Sequence, residues 1–354
     1  MELQDLFTFE GSVTLLKAVE KIDRPANFLS EMFFPKKQAL ETDFAAIEYR
    51  KVNRNIAPYV VSGARGVNIA RGTTKVKTFF APNFAASRVI GIEDLRRRQF
   101  GEIPNIFNAV KPEERLAKLQ AQDLLELTEL IENRRGVMAA EILQTGKLNL
   151  RSYADDGRLV SEETIDFDCS ANIVSPTVHW DNAAAKIYSD LLSASETIQE
   201  ATGTIPTVAI CGRNIENYLI QNDEIKTWLM VPNRENMTMI NLQPHFTGVQ
   251  ARFIGRITSL NLDLYSYSQT YFDDEGNKKY FVGEDNVIMG TRNGSTCYFP
   301  ITLMQNGQPY TVSANVVPQY TYNDEARTRR LTVYSRFVQV PETFGDWITI
   351  KARG

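Results

Sequence analysis

From Lys111 to Gly146 the sequence carries the marks of one uninterrupted helix of about 33 residues, roughly 50 Å long at 1.5 Å per residue. Pro112 suits a first helical position, Glu113 and Glu114 complement the positive end of the helix dipole, and Gly146 after Thr145 supplies a stop. Ala117, Leu124, Ile131 and Met138 recur at heptad spacing with Leu127 and Ile142 beside them, a narrow apolar stripe on a largely polar rod. Arg115, Lys118, Asp123, Glu126, Glu129, Glu132, Arg134 and Arg135 exclude a membrane span. The expectation is a spine that lies across other elements rather than inside them. A generic packed helix or a short coiled coil is the alternative for this segment alone.

The remaining elements read as short. Residues 1–41 combine an amphipathic piece, Val13 to Val19, with the apolar cluster Phe28, Leu29, Met32, Phe33 and Phe34 ended by Pro35, expected to be an extended arm that packs on something else. From Thr42 to Ile92 β-branched and aromatic residues broken by Pro58, Gly63, Gly66 and Gly72 suggest a long hairpin or loop. No acid occurs between Glu48 and Glu93, whereas Arg50, Lys51, Arg54, Arg65, Arg71, Lys75, Lys77 and Arg88 do, so a basic projection stands on a chain of net charge −4. It invites a charged neighbour; a solvated face is the alternative.

After the spine, Leu148–Tyr153 and Glu163–Cys169 flank a turn at Ala154 to Gly157. Trp180 to Gly203 reads as a second helix capped by Asp181 or Asn182, followed by a strand Thr207–Cys211 and a short helix Asn214–Gln221. Strand signals then dominate: Asp263–Phe272 and Lys279–Val282 around the turn Asp273 to Asn277, later Thr332–Val340 and Trp347–Lys351 separated by Pro341.

Little points to catalysis. GxGxxG and GxxxxGK[ST] are absent, although the piece from Thr207 to Gly212 has a nucleotide-fold flavour. His179 and His245, the two histidines, lack ligand-like spacing, and Asp273, Asp274 and Glu275 do not follow an EF-hand pattern; a solvated hairpin tip is expected there. Cys169, Cys211 and Cys297 are odd in number and without metal spacing, so they are expected as reduced core thiols. The negative net charge argues against a dedicated nucleic-acid binder. With no signal-peptide pattern at Met1 to Asp5 and no apolar run long enough to span a bilayer, a cytoplasmic, non-membrane protein is expected.

Taken in order, these pieces resemble the lambda-type major capsid proteins of tailed phages, the phage major capsid protein E family. The resemblance rests on Phe28-Leu29 with Phe33-Phe34, Thr42, Tyr59-Val60, Gly63, Arg71-Gly72 and Phe80-Ala81-Pro82, then on Glu132 to Lys147. Tyr265-Ser266, Tyr271, Gly276, Lys278-Lys279, Phe281, Asp285-Asn286 and Met289-Gly290, and finally Ser335 to Ile350, complete it over nearly the whole chain. It implies an α+β subunit of the Hong Kong 97 phage capsid fold, without enzymatic activity or cofactor. The implied division is an N-terminal arm over 1–41, an extended loop over 42–95, and a peripheral domain over 96–180 with its spine at about 112–146. An axial domain over 181–335 and a C-terminal strand over 336–354, returning to the peripheral domain, complete it. The implied partners are other copies of the chain in hexamers and pentamers, a portal, and double-stranded DNA contacted non-specifically. A small decoration protein commonly reinforces shells of this family. No large scaffolding region precedes the arm, so a separate scaffolding protein is expected. Arg50, Lys51, Arg54, Arg65, Arg71, Lys75 and Lys77 become candidate intersubunit contacts. An encapsulin-like compartment and a soluble α/β enzyme remain as alternatives.

Overall fold

The computed structural model describes residues 27–353 apart from 43, 51–73, 97–111, 155–157, 168, 183, 223, 226–228, 231–249, 306–307, 326 and 344; over 44–50, 74–80, 96, 112–114, 229–230 and 305 it describes the backbone. In chain order the elements are α1 (Phe28–Phe33), β1 (Lys36–Ala39), β2 (Phe44–Arg50), β3 (Thr74–Phe80), β4 (Phe84–Ile90), α2 (Ile92–Arg96) and α3 (Pro112–Thr145). Then follow β5 (Lys147–Tyr153), β6 (Leu159–Asp166), β7 (Ile173–Val174), α4 (Ile187–Thr202), β8 (Val208–Cys211), α5 (Ile215–Gln221), β9 (Leu229–Met230), β10 (Arg252–Ile257) and β11 (Leu262–Ser266). The remainder is all strand: β12 (Thr270–Phe272), β13 (Lys278–Tyr280), β14 (Asn286–Gly290), β15 (Ser295–Tyr298), β16 (Ile301–Gln305), β17 (Gln308–Val312), β18 (Val317–Asn323), β19 (Thr328–Ser335), β20 (Phe337–Val340) and β21 (Trp347–Lys351).

Helix α3 runs unbroken from Pro112 to Thr145 and ends where Gly146 turns left-handed at φ +69°. A helix leaves its last four carbonyls without intrahelical donors. Here the Gly146 amide returns to the Ile142 carbonyl at 2.8 Å. Trp347 Nε1 and Thr349 Oγ1 of β21 both donate to the Leu143 carbonyl, at 2.9 and 2.7 Å. The C-terminal strand therefore satisfies the end of the helix.

The spine does not lie only across other elements. Ala117 of the heptad series is exposed, but from Leu124 onward one face passes into the core, and Met138, Ala139, Ala140, Ile142 and Leu143 are all buried. Small residues make this possible: a Cβ on Gly136 would sit 1.8 Å from Asn27 Nδ2 and 2.8 Å from the Phe281 ring. The heptad count sees only large side chains and missed this second, small-residue face.

The element seated there is α1. The apolar cluster expected in an extended arm is instead a helix capped by Asn27, whose side chain accepts from the Ser30 amide, and Phe28, Leu29, Met32 and Phe33 are buried in the same subunit. The Phe28 ring lies 5.7 Å from Tyr265 and 5.6 Å from Tyr267. Behind it, β1 pairs in parallel with β15.

One sheet divides the interior. Its order is β7-β21-β14-β8-β11-β10-β9. Alternate residues of its central strands supply two cores: Val208, Ile210, Tyr265 and Ile288 face the spine side, while Ala209, Cys211, Leu264, Val287 and Met289 pack with Ile187, Leu191 and Ile198 of α4 and with Ile215 and Leu219 of α5. A strand covered on both faces reads as a continuous apolar run, which is why Val208 to Cys211 was legible.

Several expected boundaries move. The second helix starts at Ile187, not Trp180, because Asn182 caps a turn: its Oδ1 accepts from Ala184 N at 3.0 Å, and Trp180 Nε1 reaches back to Asp190 at 2.8 Å. The strand expected over 163–169 is β6, 159–166, with Phe167 turned into the core. The stretch 263–272 splits after Ser266, where Tyr267 turns inward. The stretch 332–340 splits at Arg336, where the chain leaves the β18-β19-β4 sheet to join β1-β15-β20.

Candidate intersubunit surface

Strands β2 and β3 form a regular antiparallel ladder from Phe44↔Phe80 to Arg50↔Thr74, with Lys77 opposite Ile47 and Lys75 opposite Tyr49. Among the described residues no third strand joins it. The ladder is about 23 Å long at roughly 3.3 Å per residue, and a two-stranded ribbon alone is marginal in water, so it needs a surface to lie on. Of the candidate contacts, Arg50, Lys75 and Lys77 fall on this ribbon, and Lys51, Arg54, Arg65 and Arg71 lie outside the described residues.

Arg88 leaves the basic group. It sits on β4, which pairs with β19, and its guanidinium meets Asp123 at 2.7 Å and Glu126 at 2.6 Å on the spine. Those bonds raise the Arg88 pKa and lower that of Glu126. Sequence adjacency hid the change of sheet: β2 and β3 pair with each other, while β4 pairs with β19.

A second surface was missed. The turn after β12 is held by Asp273, whose Oδ1 accepts from Glu275 N at 3.0 Å and Asn277 N at 2.7 Å, with Gly276 at φ +83°. Lys279 at 2.9 Å, with those amides, holds the Asp273 carboxyl down at about 2. The tip is not merely solvated. Arg134 of the spine pairs with Asp274, the Tyr153 hydroxyl of β5 donates to Asp274 at 3.4 Å, and Arg151 approaches Glu275 at 4.0 Å. The β12–β13 hairpin is thus clasped to the β5–β6 ribbon, which carries its own cross-strand pairs Arg151–Glu162 at 3.0 Å and Lys147–Asp166 at 3.1 Å. At the base of the ribbon Glu141 accepts from Asn149 N and Nδ2 at 3.2 and 2.7 Å, and burial raises its pKa.

Among the described residues no group of three or more His, Cys, Asp or Glu side chains is placed to hold a metal. The three cysteines are buried thiols outside any disulfide, and burial pushes the Cys211 thiol up to about 12. His179 is exposed beside a turn, and His245 lies outside the described residues. A cavity between Phe33, Leu143, Asp346 and Trp347 holds about 10 Å³, too little for a substrate. Among the described residues no helix is long and apolar enough to cross a membrane.

The described residues thus assemble a long spine, a separate two-stranded ribbon and clasped surface hairpins. This architecture is shared by a capsid protein of a prophage from E. coli CFT073, which is 18% identical with a TM-score of 0.69 over 96% of this chain and 98% of that one. A phage-related protein from Bordetella bronchiseptica RB50 is 12% identical with a TM-score of 0.53 over 96% of each chain. No curated protein matches. The family described as phage major capsid protein E matches residues 11–352, and the chain belongs to it. It has the Hong Kong 97 phage capsid fold and is a structural component of the virion, a non-enzymatic shell protein that assembles with copies of itself.

Proposed function

We propose that this chain gathers as hexamers and pentamers in an icosahedral head around double-stranded DNA, and that the β2–β3 ribbon is the part that reaches a neighbouring subunit. The observation that carries this is the ribbon itself: a two-stranded sheet that no third described strand joins, in a stretch with no acid between Glu48 and Glu93, on a chain of net charge −4. Such a ribbon gains both a surface and opposite charge from an adjacent copy.

The domain reading follows from the same arrangement: residues 42–95 as extended loop, 96–180 as peripheral domain and 181–335 as axial domain. The 336–354 strand then returns to the spine. Because α1 and β1 pack inside the subunit, the arm reading does not extend over 28–39, and because β4 joins β19, the loop reading does not extend over 84–90. A mildly acidic shell confines DNA without gripping it. A scaffolding protein, a portal and a decoration protein are the expected helpers, with assembly in the host cytoplasm.

The test is Arg71→Glu with Lys75→Glu. One exposed pair is worth only about 0–1 kcal/mol, but a repeated like-charge contact adds over every interface. The dissociated subunit should unfold as the parent does while shell yield by sedimentation falls. Shells of unchanged yield and stability would falsify the contact assignment. Nucleic acid as the packaged content separates this reading from an enzyme-storing compartment.

A further inference from the structure

The joined tips of the β5–β6 and β12–β13 hairpins expose four large apolar side chains: Phe272 is 74% exposed, Val160 64%, Leu159 47% and Tyr153 45%. Two features keep them there. Tyr153 pairs with Leu159 while Ser152 pairs with Ser161, so Val160 is an extra residue, bulged out of the ladder. Phe272 is fixed by its place opposite Lys278 beside the Asp273 turn. The Tyr153 hydroxyl joins the two hairpins at Asp274, and Arg134 anchors the same carboxylate to the spine.

The rim carries unspent charge of both signs. Glu275 is 71% exposed, with Arg151 only at 4.0 Å, and Lys278 makes no ion pair among the described residues. At the stated exposures, with an aromatic side chain offering about 150–250 Å² and the aliphatic ones less, the patch offers on the order of 400 Å². A stable pair of proteins buries about 800 Å² on each partner. This contact is too small to hold two free subunits and becomes effective when many copies are already arrayed, where weak contacts combine.

Resting on the capsid reading, we propose that these tips are a self-complementary contact between neighbouring copies, with Phe272 and Val160 at its apolar centre and Lys278 of one copy facing Glu275 of the next. A patch bearing both charges is complementary to another copy turned to meet it, and every copy in an array supplies that surface.

The test uses the full chain in an assembly reaction, with Glu275→Lys and Lys278→Glu prepared separately. Thermal unfolding of each dissociated variant checks that the fold is kept. Each alone should lower shell yield about fivefold or more, as like charges replace a pair. An equal mixture of the two variants should recover most of that loss, because each then supplies the sign the other lacks. Phe272→Ser should lower yield without recovery by mixing. Single variants that assemble like the parent, or a mixture no better than its components, would overturn the proposal and leave the capsid reading standing. A parent chain that forms no shells would remove both.

Discussion

Gln144 offers the sharpest test of how the spine is tied to the central sheet. Its Nε2 donates to its own helix at Ala140 O, 3.0 Å, and across to Phe281 O at 2.7 Å; its Oε1 accepts from Gly283 N and Asn286 Nδ2, both at 2.8 Å. The side chain is thus fully used, and three of its four bonds leave the helix. Gln144→Ala orphans Phe281 O, Gly283 N and Asn286 Nδ2 in a half-buried site. A fully buried orphan costs about 1–3 kcal/mol, and partial access of water favours the low end, so the total is about 3 kcal/mol. Gln122→Ala is the control: that glutamine bonds only Glu126 at 3.0 Å on the exposed face, and its loss should stay within about 0.5 kcal/mol. Denaturant titration of dissociated subunits measures both. If the two variants unfold at the same midpoint, the amide is not a clasp and the reasoning is wrong.

Leu127→Pro removes a helix bond where the spine enters the core and should cost about 3 kcal/mol or more; lost far-ultraviolet ellipticity together with lost shells is expected, and normal shells would refute a continuous spine. Arg88→Ala leaves the buried Asp123 without its guanidinium; since Arg88 is itself 41% exposed, a loss of about 1–2 kcal/mol is expected in urea unfolding, and no change would make the pair ornamental. Asp346 is buried, and desolvation raises its pKa from 3.8 to about 6. The folded state then binds the proton more tightly, so this group's contribution is complete below pH 3.8 and is lost as pH rises to about 6, a span worth about 3 kcal/mol. Stability of Asp346→Asn should lack that part of the pH slope; an identical slope contradicts the assignment.

The sequence made the spine legible because both its ends are chemical: Pro112 opens it and Gly146, left-handed, closes it. It made β8 and α5 legible through an uninterrupted apolar run and a short periodic one. Contacts made by small or polar groups were not legible. Gly136 admits Asn27, Gln144 stitches the helix to 281–286, and Asp274 clasps two hairpins, yet none leaves a periodic trace. The α1 cluster was seen but misassigned, because a run of phenylalanines shows that it must be covered and not by what. Likewise the basic run reads as one unit in the sequence, although Arg88 faces Asp123 within the subunit and Lys75 and Lys77 lie on a separate two-stranded ribbon.

The central claim is that this chain closes into a shell with copies of itself. Electron microscopy of the purified protein after an assembly reaction and fractionation by sedimentation shows whether it does. The account predicts closed particles built of hexameric and pentameric clusters, with the β2–β3 ribbon of each subunit lying on its neighbour. A stable monomer at every concentration and salt condition would contradict it.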